Sequence, residues 1–148
     1  MNVALSCDRE TPTRPILGLN IATSSYQEAV EKSIEWARNR ESRALFFANV
    51  HVVMEAHDNS EFRESLNRAD MINPDGMPLV WALRALGEPS ASRVYGPDAM
   101  IAMLQRAESS GIPVGFYGGS ESALALLLAS VREQFPRLEI SFSLSPPL

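Results

Sequence analysis

One cysteine, Cys7, stands in 148 residues. A single thiol closes no internal disulfide and builds no cysteine-rich zinc site. Its polar neighbours mark it as an incidental residue of the N-terminal stretch. The sequence also lacks any apolar run near the ~20 residues that span a bilayer. Residues 1–14 contain no apolar segment of the signal-peptide kind. Nor is there an excess of basic residues: 13 Lys and Arg face 18 Asp and Glu, for a net charge of −5. Nucleic acid is therefore not expected as a partner, and charge alone would not draw this domain to an anionic lipid surface. The dinucleotide fingerprint G-x-G-x-x-G, the Walker pattern and the esterase elbow G-x-S-x-G are all missing. The first of these gaps argues against a nicotinamide-dependent oxidoreductase. No internal repeat or low-complexity tract interrupts the chain.

What is present is an ordinary globular composition, 45% hydrophobic and 21% charged. The length fits one domain with a real core. Residues 1–15, with Thr11, Pro12 and Thr13, read as a flexible tail, and residues 16–148 as the folded core. Ile16 to Ile21 reads as a first strand. Ser24 or Ser25 can cap a helix over 26–40, where Tyr26, Ala29, Val30, Ile34 and Ala37 recur at helical spacing. The unalternating run Ala44-Leu45-Phe46-Phe47-Ala48 suits a strand buried on both faces of a parallel sheet. Two helices follow, the second capped by Asn59 or Ser60. Residues 70–73 form a brief strand, which Pro74-Asp75-Gly76 ends. A helix over 77–86 closes at Gly87. Arg93-Val94-Tyr95 is strand-like and leads into a helix that Pro97 suits at its first turn. A strand over 113–117, a helix over 121–134 and a strand over 138–142 complete the series. Alternation of this kind predicts an α/β fold, a three-layer sandwich around a mostly parallel sheet.

In such a sheet, ligands bind beyond the carboxyl ends of the strands. Four of those ends carry more than turn formers. Asn49 closes the 44–48 strand. Asp75 follows the 70–73 strand; it is either a turn-stabilising residue or a carboxylate at a crevice floor, placed to act as a general base. Arg93 is either a surface cation or a partner for a diphosphate. Asp98 is by default a first-turn residue favoured by the helix dipole. Gly118-Gly119-Ser120 is either a tight turn or a phosphate-accepting strand-to-helix junction. His51 and Glu55 are four apart on one helix, but no third ligand accompanies them, so no metal site is expected.

Several segments, in order and in spacing, resemble the WecG/TagA/CpsF family of glycosyltransferases. The first is Phe47-Ala48-Asn49-Val50-His51. The helix over 62–70 runs into Pro74-Asp75-Gly76-Met77-Pro78-Leu79-Val80-Trp81. Then come Arg93-Val94-Tyr95-Gly96-Pro97-Asp98-Ala99-Met100, Phe116-Tyr117-Gly118-Gly119 and Ser145-Pro146-Pro147. Any one of these motifs is weak, whereas the ordered set is specific and covers almost everything after residue 15.

The resemblance implies a Rossmann-like core that takes a UDP-sugar. It implies an inverting transferase, working without a metal or other cofactor, that moves an N-acetylmannosamine-type or uronic acid sugar onto a polyprenyl-diphosphate-linked acceptor. The setting it implies is the cytoplasmic face of a bacterial membrane, in cell-surface polysaccharide synthesis. The family's general base falls on Asp75. Asn49, Arg93, Gly96, Asp98, Gly118 and Gly119 fall on substrate-binding positions. Two departures stand out. Phe47 replaces a threonine that the family usually carries two residues before Asn49. The family pattern also continues past Ser-Pro-Pro into a Gly-x-Pro-x-Gln-Glu motif and a membrane-contacting appendage, and the sequence is read as lacking both. Two expectations follow: self-association through uncovered apolar surface, and, as the alternative to an active enzyme, a non-catalytic truncated remnant that at most binds the nucleotide sugar.

Overall fold

The structure, a computed structural model, describes residues 11–147. Cys7 and most of the expected tail lie outside the described residues. The chain divides into two compact units. One is built from the chain up to Tyr26 together with Arg43–Tyr95, the other from Gln27–Ser42 together with Gly96 onward.

The first unit opens with a hairpin. Strands β1 (Thr13–Ile16) and β2 (Leu19–Ala22) pair antiparallel, with Ile16 opposite Leu19. Two differences from the sequence reading meet here. Strand β1 includes Thr13, Arg14 and Pro15, which the sequence reading placed in the tail. The single strand expected over 16–21 is broken at Leu17-Gly18, where φ is +48° and +89°. Positive φ at both central residues is the pattern of a two-residue hairpin turn, and so short a turn can join only antiparallel strands. Asn67 clasps the hairpin from outside: its Nδ2 donates to Gly18 O (2.8 Å) and its Oδ1 accepts from Asn20 N–H (3.1 Å).

Strand β3 (Leu45–Ala48) and strand β4 (Met71–Pro74) form a parallel ladder, with Leu45 opposite Met71 and Ala48 opposite Pro74. The connection between them holds helices α2 (Val50–Asp58) and α3 (Ser60–Leu66). Asn59 does double duty there: it ends α2, and its side chain caps α3 by accepting from Phe62 N–H. Helix α4 (Met77–Ala85) follows β4, and Gly87, at φ +95°, supplies the left-handed residue beyond its end. β4 is buried throughout. Around it Leu19, Ile21, Ala48, Val53, Ile72, Val80 and Leu83 make one apolar core.

Asp70 anchors the start of the β3–β4 ladder. Its Oδ1 takes Arg43 Nη1 at 2.7 Å, and its Oδ2 takes the Ala44 N–H at 2.8 Å. The Ala44 amide and then the Arg43 guanidinium hold this carboxyl below the usual carboxylate range. A lowered folded-state pKa stabilises the protein above the ordinary carboxylate range, and that stabilisation is lost as pH falls through the lowered value. Asp70→Asn is accordingly expected to destabilise the fold at neutral pH, with the gap to the parent closing in acid. Urea unfolding across that range measures it.

The second unit holds the body of helix α1 (Tyr26–Arg38), helix α5 (Gly96–Ser110), strand β5 (Val114–Tyr117), helix α6 (Glu121–Gln134) and strand β6 (Ile140–Leu144). β5 and β6 pair parallel, with a register irregularity between Val114 and Gly115. Ile34, Leu104, Phe116, Leu124, Leu128, Val131, Phe135 and Leu138 form its core.

The fold is α/β, and two of its three ladders are parallel. Among the described residues the strands are gathered in three two-stranded ladders, where the sequence reading placed one larger sheet. Arg93-Val94-Tyr95, read as strand-like, joins no ladder. A bond from Val94 N–H to Pro74 O (2.9 Å) lays it beside the end of β4. No helix among the described residues is long and apolar enough to cross a membrane.

Candidate active site

Parallel pairing decides where Asn49 and Asp75 stand. Ala48 and Pro74 are partners at the carboxyl end of the β3–β4 ladder. The residues that follow them therefore leave the ladder side by side. Asp75 N–H donates to Ala48 O at 2.8 Å and fixes that junction.

Asn49 is the N-cap of α2, and its Oδ1 accepts from Val52 N–H at 3.1 Å. That oxygen is committed to the helix, so a ligand would meet this side chain through its Nδ2 amide. Asp75 is mostly covered, its side chain 17% exposed. Arg93 Nη2 lies 3.4 Å from Asp75 Oδ1, and the Arg93 guanidinium carbon sits 4.2 Å from the centroid of the Tyr95 ring. The stack and the ion pair hold one cation against one carboxylate while leaving Arg93 partly open to solvent.

Two helix N-termini also open at this ladder end. α2 begins at Asn49. α4 begins at Gly76, where no side chain caps the first turn and Pro78 occupies an early position. Helix starts carry partial positive charge, so the Asn49–Asp75 edge suits an anionic group. Beneath it lies a buried polar pair. Ser24 Oγ donates to Asn73 Oδ1 at 2.7 Å, and Asn73 Nδ2 donates to Phe46 O at 3.3 Å.

Gly96, Asp98, Gly118 and Gly119 belong to the other unit. Gly96, half-buried, and Asp98, exposed, belong to the first turn of α5. Gly118 and Gly119, at φ +118° and +71°, turn the chain from β5 into α6, whose cap is Ser120. Ser145 Oγ donates to Gly119 O at 2.7 Å. The turn and Ser145, Pro146 and Pro147 line an open cleft of about 440 Å³. Left-handed backbone costs a non-glycine residue roughly 1–2 kcal/mol, so Gly119→Ala is expected to lose about that much stability. Chemical denaturation checks it.

The structure thus brings together Asn49, Asp75 and Arg93 in one unit, and the paired glycines with Ser145 in the other. His51 Nε2 and Glu55 Oε1 are 3.4 Å apart on an exposed face of α2. The residue the sequence reading passed over is Tyr26. Read there as one apolar position of a helix, it accepts a hydrogen bond from Tyr95 N–H at 2.7 Å. Nothing in the local sequence signals this, because the partner is 69 residues away.

The sequence model of the Glycosyl transferase WecG/TagA/CpsF family matches residues 14–148. The chain belongs to this family. Among curated relatives, an N-acetylglucosaminyldiphosphoundecaprenol N-acetyl-beta-D-mannosaminyltransferase of Bacillus spizizenii is 30% identical to it over 131 residues. The match takes in 87% of this chain and 51% of the relative, so the chain spans about half the length of that protein. In this WecG/TagA/CpsF chain, the Pro-Asp-Gly segment is the β4–α4 junction, and the Arg93 motif is the segment laid against it through Val94.

Proposed function

We propose that the end of the β3–β4 ladder is the glycosyl-transfer site of this chain, taking a UDP-sugar and passing its sugar to a polyprenyl-diphosphate-linked acceptor. One observation carries the reading: a mostly covered carboxylate and an amide leave adjacent parallel strands together, with an arginine held on the carboxylate. The relative's name adds the sugar and acceptor class, an N-acetyl-β-D-mannosaminyl group placed on a diphosphoundecaprenol-linked N-acetylglucosamine. A β-linked product from an α-linked nucleotide sugar requires inversion. Inversion needs one base on the acceptor hydroxyl and one route for the leaving diphosphate.

Asp75 supplies the base. It takes the acceptor proton as the acceptor oxygen bonds to the anomeric carbon. The bond from that carbon to the phosphate oxygen breaks, and the diphosphate leaves with the electron pair. Arg93 and the two helix N-termini offset the charge that develops there. Asn49 holds the donor through its amide. The acceptor's lipid places the reaction at a membrane surface, reached from the cytoplasmic side.

Calorimetric titration tests the reading. UDP is expected to bind and NAD is not. Arg93→Ala removes charge-assisted hydrogen bonds and is expected to weaken UDP by roughly 10- to 100-fold. Failure of UDP to bind the parent chain at millimolar concentration would overturn the proposal.

A further inference from the structure

The segment that carries Arg93 is anchored on one side, where the Ala91 and Val94 side chains are buried, while Arg93 itself is partly exposed. It belongs to no ladder, and its backbone is tied to the ladder end by the bond from Val94 N–H to Pro74 O. The next residue, Tyr95, is tied by a single phenol. Tyr26 Oη accepts from Tyr95 N–H at 2.7 Å and lies 3.4 Å from Tyr95 O, the distance at which it donates. One hydroxyl thus serves both backbone polar groups of Tyr95. The Tyr95 ring in turn lies under the Arg93 guanidinium, 4.2 Å from centroid to carbon, and Arg93 reaches Asp75 at 3.4 Å.

We infer that Tyr26 is a positioning residue for donor binding, acting on Arg93 through Tyr95. The inference rests on the function proposed above, since it assigns Arg93 to the donor diphosphate. Physically, a cation–π stack constrains a guanidinium only if the ring beneath it is itself fixed. The ring of Tyr95 is set by its backbone, and that backbone is set by the Tyr26 phenol. Without the hydroxyl, Tyr95 N–H turns to water, the ring gains freedom, and Arg93 loses the platform that keeps it beside Asp75. Preorganisation of this kind is worth having in a binding site, because the cost of ordering the cation is met before the ligand arrives.

The test is a double-mutant cycle read by UDP affinity, with an NMR probe that needs no ligand. Tyr26→Phe is expected to weaken UDP by roughly three- to tenfold in the parent, and to have no further effect in an Arg93→Ala background. A Tyr26 that served folding alone would give the same loss in both backgrounds, which would overturn the inference. In the ligand-free protein, the Arg93 Nε–Hε signal is expected to carry a ring-current shift from Tyr95 that Tyr26→Phe reduces. An unchanged shift would also overturn it. Tyr95→Leu keeps the backbone bond to Tyr26 but removes the ring, and is expected to match the Tyr26→Phe loss. Full UDP affinity in Tyr95→Leu would contradict the route through the ring, even if Tyr26→Phe failed to fold. Should the parent bind no UDP, the functional reading falls, while the NMR shift still decides whether Tyr26 positions Arg93.

Discussion

Asp75→Asn is expected to reduce sugar transfer by roughly 10²- to 10⁴-fold, the usual contribution of a positioned general base. UDP affinity is expected to stay within about threefold of the parent, because the substitution leaves donor contacts in place. The separation has a structural basis. The bond that seats Asp75 uses its backbone N–H on Ala48 O, and the variant keeps it. The amide oxygen of Asn can still accept from Arg93. What is lost is the capacity to take a proton from the acceptor hydroxyl. Single-turnover transfer assays with a UDP-N-acetylmannosamine donor and a polyprenyl-diphosphate N-acetylglucosamine acceptor measure the rate, and calorimetry measures the binding. Undiminished transfer would remove Asp75 from the mechanism. Loss of both rate and binding would make Asp75 a donor contact instead of a base.

Asn73→Leu should produce the largest loss of stability. Asn73 is fully buried one residue before Pro74, and it joins Ser24 to the carbonyl of Phe46. Leucine has nearly the same shape, so packing is largely kept. The Ser24 hydroxyl is left without its acceptor and the Phe46 carbonyl without that donor. A buried hydroxyl that loses its good acceptor costs about 1–3 kcal/mol; the Met71 sulfur at 3.9 Å is a weak substitute, while the Phe46 carbonyl keeps its place in the β3–β4 ladder. The second variant makes the argument specific. Removing the hydroxyl as well, in Ser24→Ala/Asn73→Leu, should recover part of the loss, since an apolar pair in place of a polar one can approach neutrality. Urea unfolding of the parent, both single variants and the double variant gives the coupling. Simple additivity of the two substitutions would show that the buried pair is not an energetic unit.

Much of this architecture was legible in the sequence, and the reasons are local. The limits of α6, 121–134, follow from a serine cap and an unbroken apolar stripe. Of the two residues read as caps for α3, Asn59 and Ser60, Asn59 is the cap, and Gly87 stands where a left-handed residue is needed. Asn49 and Asp75 were placed at strand ends because short apolar runs stop abruptly there. Their neighbourhood, by contrast, required the parallel pairing of β3 with β4, which periodicity does not report. The hairpin at Leu17-Gly18 was missed because leucine at positive φ gives no signal, and its flanks read as one apolar run. Tyr26 was counted as one apolar position of a helix because its ring fits the helical stripe. Its phenol is spent on a residue far along the chain, and hydrogen bonds of that range leave no spacing in the sequence. The Ser24–Asn73 pair was hidden for the same reason, being 49 residues apart.

The claim beneath all of this is that a nucleotide sugar meets the protein at the carboxyl end of the β3–β4 ladder. Amide chemical-shift mapping of the isotopically labelled chain during titration with UDP tests it most directly. The largest perturbations are expected at Asn49, Asp75, Gly76 and Arg93 to Tyr95. Perturbations confined to other surfaces, such as the groove formed by Glu55, Asp58, Asn59 and Phe62, with the ladder end unmoved, would contradict it.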